Sequence, residues 1–472
     1  MTGAELVHLA YLASVALFVV GLKRLARVRT ARQGNLLLAG GMLLAVVITL
    51  VEQGRVEVTW IVVGLVVGAV IGVWTVLRAT ATSMPQVVAR FNGFGGAASA
   101  FVALALFWDE VVDAAGSGTA IERLGVASAV TVALSVVIGG ATASGSIAAE
   151  AKLWGRLTAL TRIPGRSVLM VASAALVLAA ATTSIVVADP GFAAGVVVVL
   201  LVTSAVIGLV AVGPVGGADM PVMISLLNSL SGLAAAATGF ALGNTLLIMG
   251  GTIVGAAGLM LTRIMCVAMN RTLWNVLAGG LGAMPSGDDA SAYEHVVSSD
   301  AEEAAMVLEA ARSVVIVPGY GLAAARGQHS AAELADVLAD RGVQVRFAIH
   351  PVAGRMPGHM NVVLAEADVP YDRLVEMDRI NRDFAATDVV IVVGANDVTN
   401  PSARQASGTP IAGMPILEVD QAQRIFVIKR SLSPGYSGIK NPLYEQDNCA
   451  MIFGDAKQVL DDLVQELSAA TA

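Results

Sequence analysis

Up to about Ala278 the chain is a succession of nine long apolar runs, and this limits its fold more than any other feature. The runs lie near residues 6–22, 36–51, 58–77, 87–107, 123–147, 168–187, 192–212, 222–242 and 245–265. Each approaches the roughly 20 residues that a tilted helix needs to cross the hydrocarbon of a bilayer. Glycines and polar residues interrupt the fourth and fifth. Only 14% of the 472 residues are charged and 56% are hydrophobic, with mean hydropathy +0.75. A soluble globular chain carries roughly 25% charged residues. The deficit places the first part of the chain in a membrane.

Loop charges orient the runs. Lys23, Arg24, Arg27, Arg29 and Arg32 follow the first, Arg78 and Arg90 flank the gap after the third, and Lys152, Arg156, Arg162 and Arg166 follow the fifth. The intervening loops carry Glu52, Glu57 and one Arg55, then Asp109, Glu110, Asp113 and Glu122, then Asp189. The positive-inside bias puts the cationic loops in the cytosol, the N-terminus outside and, after nine crossings, the C-terminal part inside. In the first run the cations follow the apolar stretch, so it reads as a retained helix and not as a cleaved signal.

From about Gly279 onward the composition is that of a soluble α/β domain. Residues 279–289, rich in Gly, acid and small side chains, read as a linker. The expected organisation is a transmembrane domain over 1–275, a flexible linker over 276–300 and a soluble domain over 301–472. A net charge of −7, with no basic stripe interleaved with aromatics, excludes a nucleic-acid partner. Cys266 and Cys449 sit in unlike contexts and read as unpaired thiols, with no disulfide framework and no metal spacing.

Small residues recur in the spans: Gly93, Gly95, Gly96, Gly139, Gly140, Gly250, Gly251, Gly255 and Gly258. Spacing such as Gly251 to Gly255 lets helices approach closely. Polar residues at membrane depth are costly unless paired or lining a wet path. Asn92, Thr142, Ser144, Ser146, Asp219, Asn228, Ser229, Ser231, Thr238 and Asn244 are the candidates, each either an interhelical hydrogen bond or part of a polar track.

In the soluble domain, strands are expected over 313–318, 343–349, 388–393, 415–419, 425–428 and 450–453. Helices are expected from Gly319 to about Arg341, over 371–384 and over 456–467. This alternation is that of a Rossmann-like, doubly wound parallel sheet. Gly319-x-Gly321-x-x-Ala324 follows a strand and opens a helix, the context in which a dinucleotide pyrophosphate meets bare backbone N–H groups. An NAD site usually places a carboxylate after the second strand, yet here that strand ends Ile349-His350-Pro351. Lys429-Arg430-Ser431 at a later strand end reads either as a solvated edge or as a seat for a 2′-phosphate. The missing acid favours NADP(H). Gly- and Pro-rich loops at 352–358, 394–401, 410–415 and 433–438 fall at strand ends, and these loops, with Tyr436, are read as a lid over the nucleotide.

Longer motifs carry a resemblance. Residues 216–222 (GGADMPV), 318–321 (PGYG), 350–361 (HPVAGRMPGHMN), 364–367 (LAEA), 394–397 (GAND), 412–415 (AGMP), 429–431 (KRS) and 453–456 (FGDA) make the whole chain resemble the beta subunit family of proton-translocating NAD(P) transhydrogenase. The resemblance implies an oxidoreductase and translocase of a bacterial-type inner membrane, active only with an alpha subunit. NADP(H) would bind to this chain and NAD(H) to the alpha subunit, which also brings further membrane helices. The whole complex would be a dimer set in lipid. Hydride would pass from NADH to NADP as a proton moves inward, with no acid, base or nucleophile on this chain.

By the same resemblance the nucleotide contacts are Gly319, Tyr320, Gly321 and Ala324, then Val352, Ala353, Gly354, Arg355, Met356 and Pro357. Gly394, Ala395, Asn396, Asp397 and Val398 follow, with Gly413 and Met414. Lys429, Arg430, Ser431, Leu432, Ser433, Pro434, Gly435 and Tyr436 complete the set with Asp455 and Ala456, Lys429 and Arg430 taking the 2′-phosphate. Asp219 and Asn228 match residues of the proton path or its coupling. Many members have histidine where this chain has Asn92, so the partner's helices are expected to supply the titrating group. One charge falling through 100 mV releases ~2.3 kcal/mol, a roughly 40-fold push on nucleotide ratios. Two other classes compete: a transporter gated by nucleotide without chemistry, and a membrane reductase passing hydride to a quinone or flavin, for which no second cofactor motif is visible.

Overall fold

A computed structural model describes residues 3–25, 28–53, 58–113, 118–157, 165–216, 219–277, 293–404, 411–435 and 437–469. The 279–289 linker, Pro410 and Tyr436 lie outside the described residues. The chain divides into two units. The first comprises Met1–Ala79, Gln86–Gly213 and Ile224–Leu261, and the second Thr80–Pro85, Pro214–Met223 and Thr262–Ala472.

Among the described residues, nine helices are long and apolar enough to cross a membrane: Glu5–Leu25, Thr30–Val51, Thr59–Leu77, Met84–Val112, Val126–Leu153, Arg166–Val186, Pro190–Val212, Met220–Leu242 and Thr245–Ala268. They coincide one for one with the nine apolar runs. The fifth begins later than expected. Gly125, at φ +80°, breaks the chain after a separate short helix, Ala120–Leu124. Thr119 and Glu122 open that helix with a capping box, and Arg123 belongs to it and lies outside the span.

The eighth span is the most enclosed, with 67% of its most apolar window buried, against 6% for the third. Glycine brings the ninth span against it. A Cβ on Gly251 would lie 2.5 Å from the Ala236 nitrogen and 2.6 Å from the Gly232 carbonyl oxygen. Ser225 and Ser229 then donate across to the carbonyls of Gly258 (3.1 Å) and Gly255 (2.5 Å). Small residues therefore set the approach here and hydroxyls tie it.

The second unit is built on a seven-stranded parallel sheet: β1 (Ser298–Ser299), β2 (Ser313–Pro318), β3 (Gln344–Ile349), β4 (Leu374–Glu376), β5 (Val389–Val393), β6 (Arg424–Lys429) and β7 (Cys449–Phe453). The order is β1-β7-β6-β5-β2-β3-β4. Apart from β1, that is the dinucleotide-fold order, with its reversal between β2 and β5. The central strands are fully buried runs of Val and Ile, as a sheet covered on both faces requires.

Three expectations are corrected. The helix expected from Gly319 to Arg341 is two helices, Tyr320–Ala325 and Gln328–Asp340. Arg326 turns left-handed at φ 55°, and a Cβ on Gly327 would meet the Lys457 backbone at 3.2 Å, where the closing helix Ala456–Ala469 begins. The segment 371–384 is not one helix, because Leu374 and Val375 pair with Phe347 and Ala348 as β4 and leave a single turn, Met377–Ile380, behind them. Residues 415–419 are not a strand. Both edges of β5 are taken by β2 and β6, so Leu417 N–H bonds the Val398 carbonyl instead (2.9 Å).

Candidate functional site

Because every strand is parallel, the loops after β2, β5, β6 and β7 open at one rim. The first two cross at the reversal of strand order. Gly319 N–H donates to the Val393 carbonyl (2.8 Å) and Gly321 N–H to the Gly394 carbonyl (2.9 Å). A Cβ on Gly319 would strike the Gly394 oxygen, and one on Gly321 would lie 2.6 Å from the Gly394 Cα. Gly394 is itself at φ +62°. Three glycines thus let two backbones touch, which no larger residue allows.

Beside this crossing lies a cavity of about 500 Å³, within the usual range of a small-molecule site. Of the residues singled out in the sequence, it is lined by Gly319, Tyr320, Gly321, Ala324, Val352, Ala353, Gly354, all of 394–398, Met414, Lys429, Arg430, Ser431, Ser433, Pro434, Gly435, Asp455 and Ala456. Arg355, Met356, Pro357, Gly413 and Leu432 do not line it. Arg355 instead holds its guanidinium 4.2 Å above the Tyr320 ring, a cation–π contact that backs the wall. Gly413, at φ +72°, leaves room for Asn270, whose side-chain amide donates to the Ala412 carbonyl (2.7 Å).

The cavity also takes Met269, Arg271, Ala325, Ile411, Ile428 and Gly454. The last four adjoin recognised motifs. Met269 and Arg271 carried no signal, since a cation just past an apolar run reads as an ordinary anchor.

Histidines brace the loop after β3. His350, 2% exposed, accepts from Val352 N–H at Nδ1 (3.2 Å). Its Nε2–H is therefore free to donate to the Pro415 carbonyl (2.8 Å), which fixes the tautomer. Burial pushes its pKa down to about 4. His359, fully buried, accepts Arg355 N–H at Nδ1 (2.9 Å), and Gly354, at φ +102°, has no room for a Cβ against that ring.

At the same rim, Lys429 closes β6. Its ammonium donates to the Ser433 carbonyl (2.9 Å) and the Tyr444 hydroxyl (3.4 Å). Two of its three N–H donors are thereby engaged among the described residues, and the side chain lines the cavity. Burial lowers its pKa to about 8, with Asp397 acting the other way. Asp397 accepts from Ser437 N–H (3.0 Å) and Ser437 Oγ (2.6 Å), which ties the loop after β6 to the loop after β5. Arg430 is exposed and has no ion-pair partner among the described residues. Among the described residues no group of His, Cys, Asp and Glu suits a metal.

Several of the membrane candidates bond backbone carbonyls or one another. Asn92 donates to the Ile224 carbonyl (3.2 Å). Thr238 and Ser135 share a hydrogen bond (2.6 Å), Thr142 bonds its own helix at Ile138, and Ser231 bonds the Asn228 carbonyl. Asp219, fully buried, lies 3.6 Å from Arg271 Nε within the second unit.

Membrane-spanning helices joined to a Rossmann-like parallel sheet, with a glycine crossing and a cavity at its switch point, define a polytopic membrane protein bearing a nucleotide-type domain. The family described as NAD(P) transhydrogenase beta subunit matches residues 7–466, and the chain belongs to it. It is similar to the NAD(P) transhydrogenase subunit beta of Rhodospirillum rubrum, and to that of a named strain of the species. Each is 43% identical over 466 residues, covering 97% of this chain and 98% of the relative.

Proposed function

We propose that this chain is the NADP(H)-binding and membrane subunit of a transhydrogenase, in which hydride passes from NADH on an alpha subunit to NADP as a proton moves inward. The single observation that carries the nucleotide assignment is the cavity at the β2/β5 reversal, whose lining combines the glycine crossing with Lys429 and Arg430. The donor set suits the phosphorylated nucleotide. No carboxylate follows β3, where a ribose diol is usually held, and the Lys429 ammonium and the Arg430 guanidinium are donors for a 2′-phosphate.

In this reading the Gly319–Gly321 and Gly394–Asp397 loops cradle the pyrophosphate, and the loop over 433–435 lies across the bound molecule. Bound there, the nicotinamide supplies the hydride chemistry, and the protein aligns it and excludes water. Asn92, Asp219 and Asn228 are the membrane residues assigned to the proton path or its coupling. The partner would bring NAD(H) and further membrane helices, and the whole complex would pair in lipid. We place 1–275 in the inner membrane with its N-terminus outside, 276–300 as the connector and 301–472 in the cytosol. In vesicles holding the chain with its partner, NADH should reduce NADP, and an uncoupler should change that rate. No NADH-dependent reduction, or a rate blind to the uncoupler and to an imposed proton gradient, would sink the proposal.

A further inference from the structure

Tyr444 is the largest fully buried side chain among the described residues, yet it is no mere core filler. Its hydroxyl donates to Asn396 Oδ1 (2.5 Å) and accepts from Lys429 Nζ (3.4 Å). The Lys429 ammonium also lies 5.1 Å from the centre of its ring. Asn396 follows β5 and Lys429 ends β6, so one hydroxyl links the ends of two neighbouring strands at the cavity wall. Tyr444 does not itself line the cavity. Its position is fixed from behind. Tyr293 stacks on it at 5.9 Å and 27°, and the Tyr293 hydroxyl accepts from Asn441 N–H (2.9 Å).

The bonding is directional. With Lys429 as donor, the hydroxyl proton is committed to Asn396, whose amide nitrogen then turns to Asp397 Oδ1 (3.3 Å). Two of the ammonium's donors are occupied, at Ser433 and Tyr444, and these contacts hold the Lys429 head at the cavity wall. We propose that Tyr444 is a positioning residue, whose hydroxyl holds Lys429 and Asn396 together at the spacing that makes the cavity select a 2′-phosphorylated nucleotide. The proposal rests on the reading of the cavity as an NADP(H) site. The charged and titratable groups set around Lys429 are Asp397 after β5, Arg430 beside it, Asp455 after β7, and Tyr444 with Tyr293 behind it.

The test is direct binding of NADPH and NADH to the purified full-length chain across pH 6 to 10, with folding checked by thermal unfolding. Tyr444→Phe keeps the ring and removes the hydroxyl, so preference for NADPH should fall on the order of tenfold. The pH midpoint of that preference should move down, since the ammonium loses an acceptor. Tyr371→Phe removes an exposed hydroxyl that does not line the cavity, and should change neither readout. If Tyr444→Phe binds with the preference and midpoint of the wild type while Lys429→Ala shrinks the preference, the role of Tyr444 is refuted and the cavity assignment stands. If the wild type shows no preference for NADPH, or the double variant Lys429→Ala, Arg430→Ala keeps it in full, the cavity assignment falls and this proposal with it. Should Tyr444→Phe fail to fold, 3-fluorotyrosine at 444 preserves the shape and weakens the hydroxyl as an acceptor. The midpoint should again move down, and an unmoved midpoint overturns the proposal.

Discussion

Gly321 hands its backbone N–H to the carbonyl of Gly394 across 2.9 Å, and neither residue has space for a side chain at that crossing. Gly394→Ala would meet both obstacles at once, a left-handed backbone at φ +62° and a clash with the Gly321 backbone. The expected cost is at least about 1–3 kcal/mol of folding stability, with nucleotide binding lost even where the chain still folds. Thermal unfolding and NADPH titration of the same preparation check it. Unchanged binding would remove the crossing from the site.

Lys429 ties recognition to pH. Its pKa lies near 8 because burial opposes the charge. Below that value the ammonium is already formed and a 2′-phosphate meets it at no extra cost. Above it, binding must first take up a proton, so affinity for NADPH should fall about tenfold per pH unit while affinity for NADH stays level. Lys429→Ala should shrink the difference between the nucleotides to what Arg430 supplies, and flatten the profile. Parallel NADPH and NADH titrations from pH 6 to 10 decide it.

His350 gives the soluble unit an acid limit. Its folded pKa, about 4, lies below the free value of 6.5. The unfolded chain therefore binds a proton between those values that the folded one refuses. Stability from this residue is complete above pH 6.5 and is lost as pH falls toward 4, about 3 kcal/mol in all. His350→Gln offers both hydrogen bonds without the titration, so its unfolding free energy should lack that slope. A slope equal to the wild type's would refute the assignment.

Close packing between the eighth and ninth spans rests on Gly251. Gly251→Val would drive its side chain into the Gly232 carbonyl and the Ala236 backbone, part the helices and lengthen the Ser225 and Ser229 bonds. The midpoint of unfolding in detergent should drop by several degrees, whereas Gly68→Val, on a span with open space at that glycine, should leave it unchanged. Equal effects would show that the contact is unimportant.

Much of this architecture could be read from residues alone, for local reasons. Val314–Val317 and Val389–Val393 are apolar, β-branched and fully buried, so composition and placement coincide. Gly319, Gly321 and Gly394 announce a backbone crossing because only glycine satisfies it. The misreadings occur where the third dimension decides. Leu374 and Val375 follow a helical period, yet the open edge of β3 claims them. Leu417 looks like strand but finds no free edge. Arg326 can break a helix only because another helix begins across from Gly327. At the site, Lys429 was visible as a charge, but its partner Tyr444 lies 15 positions on in a turn of no recognisable pattern. Arg271 joins the wall from beyond the ninth apolar run, a neighbour that no spacing rule supplies.

An all-parallel sheet also leaves a second rim with other duties. There the strands begin, and Asp388 gathers the backbone N–H groups of Arg312 (2.9 Å) and Ser313 (3.0 Å). The turn before β3 passes through Gly342, whose φ of +82° reserves that position for glycine, while Asp340 just before it is exposed. That turn is the natural seat for a fluorophore or an affinity handle, able to report on the domain at work from the face its ligand never visits.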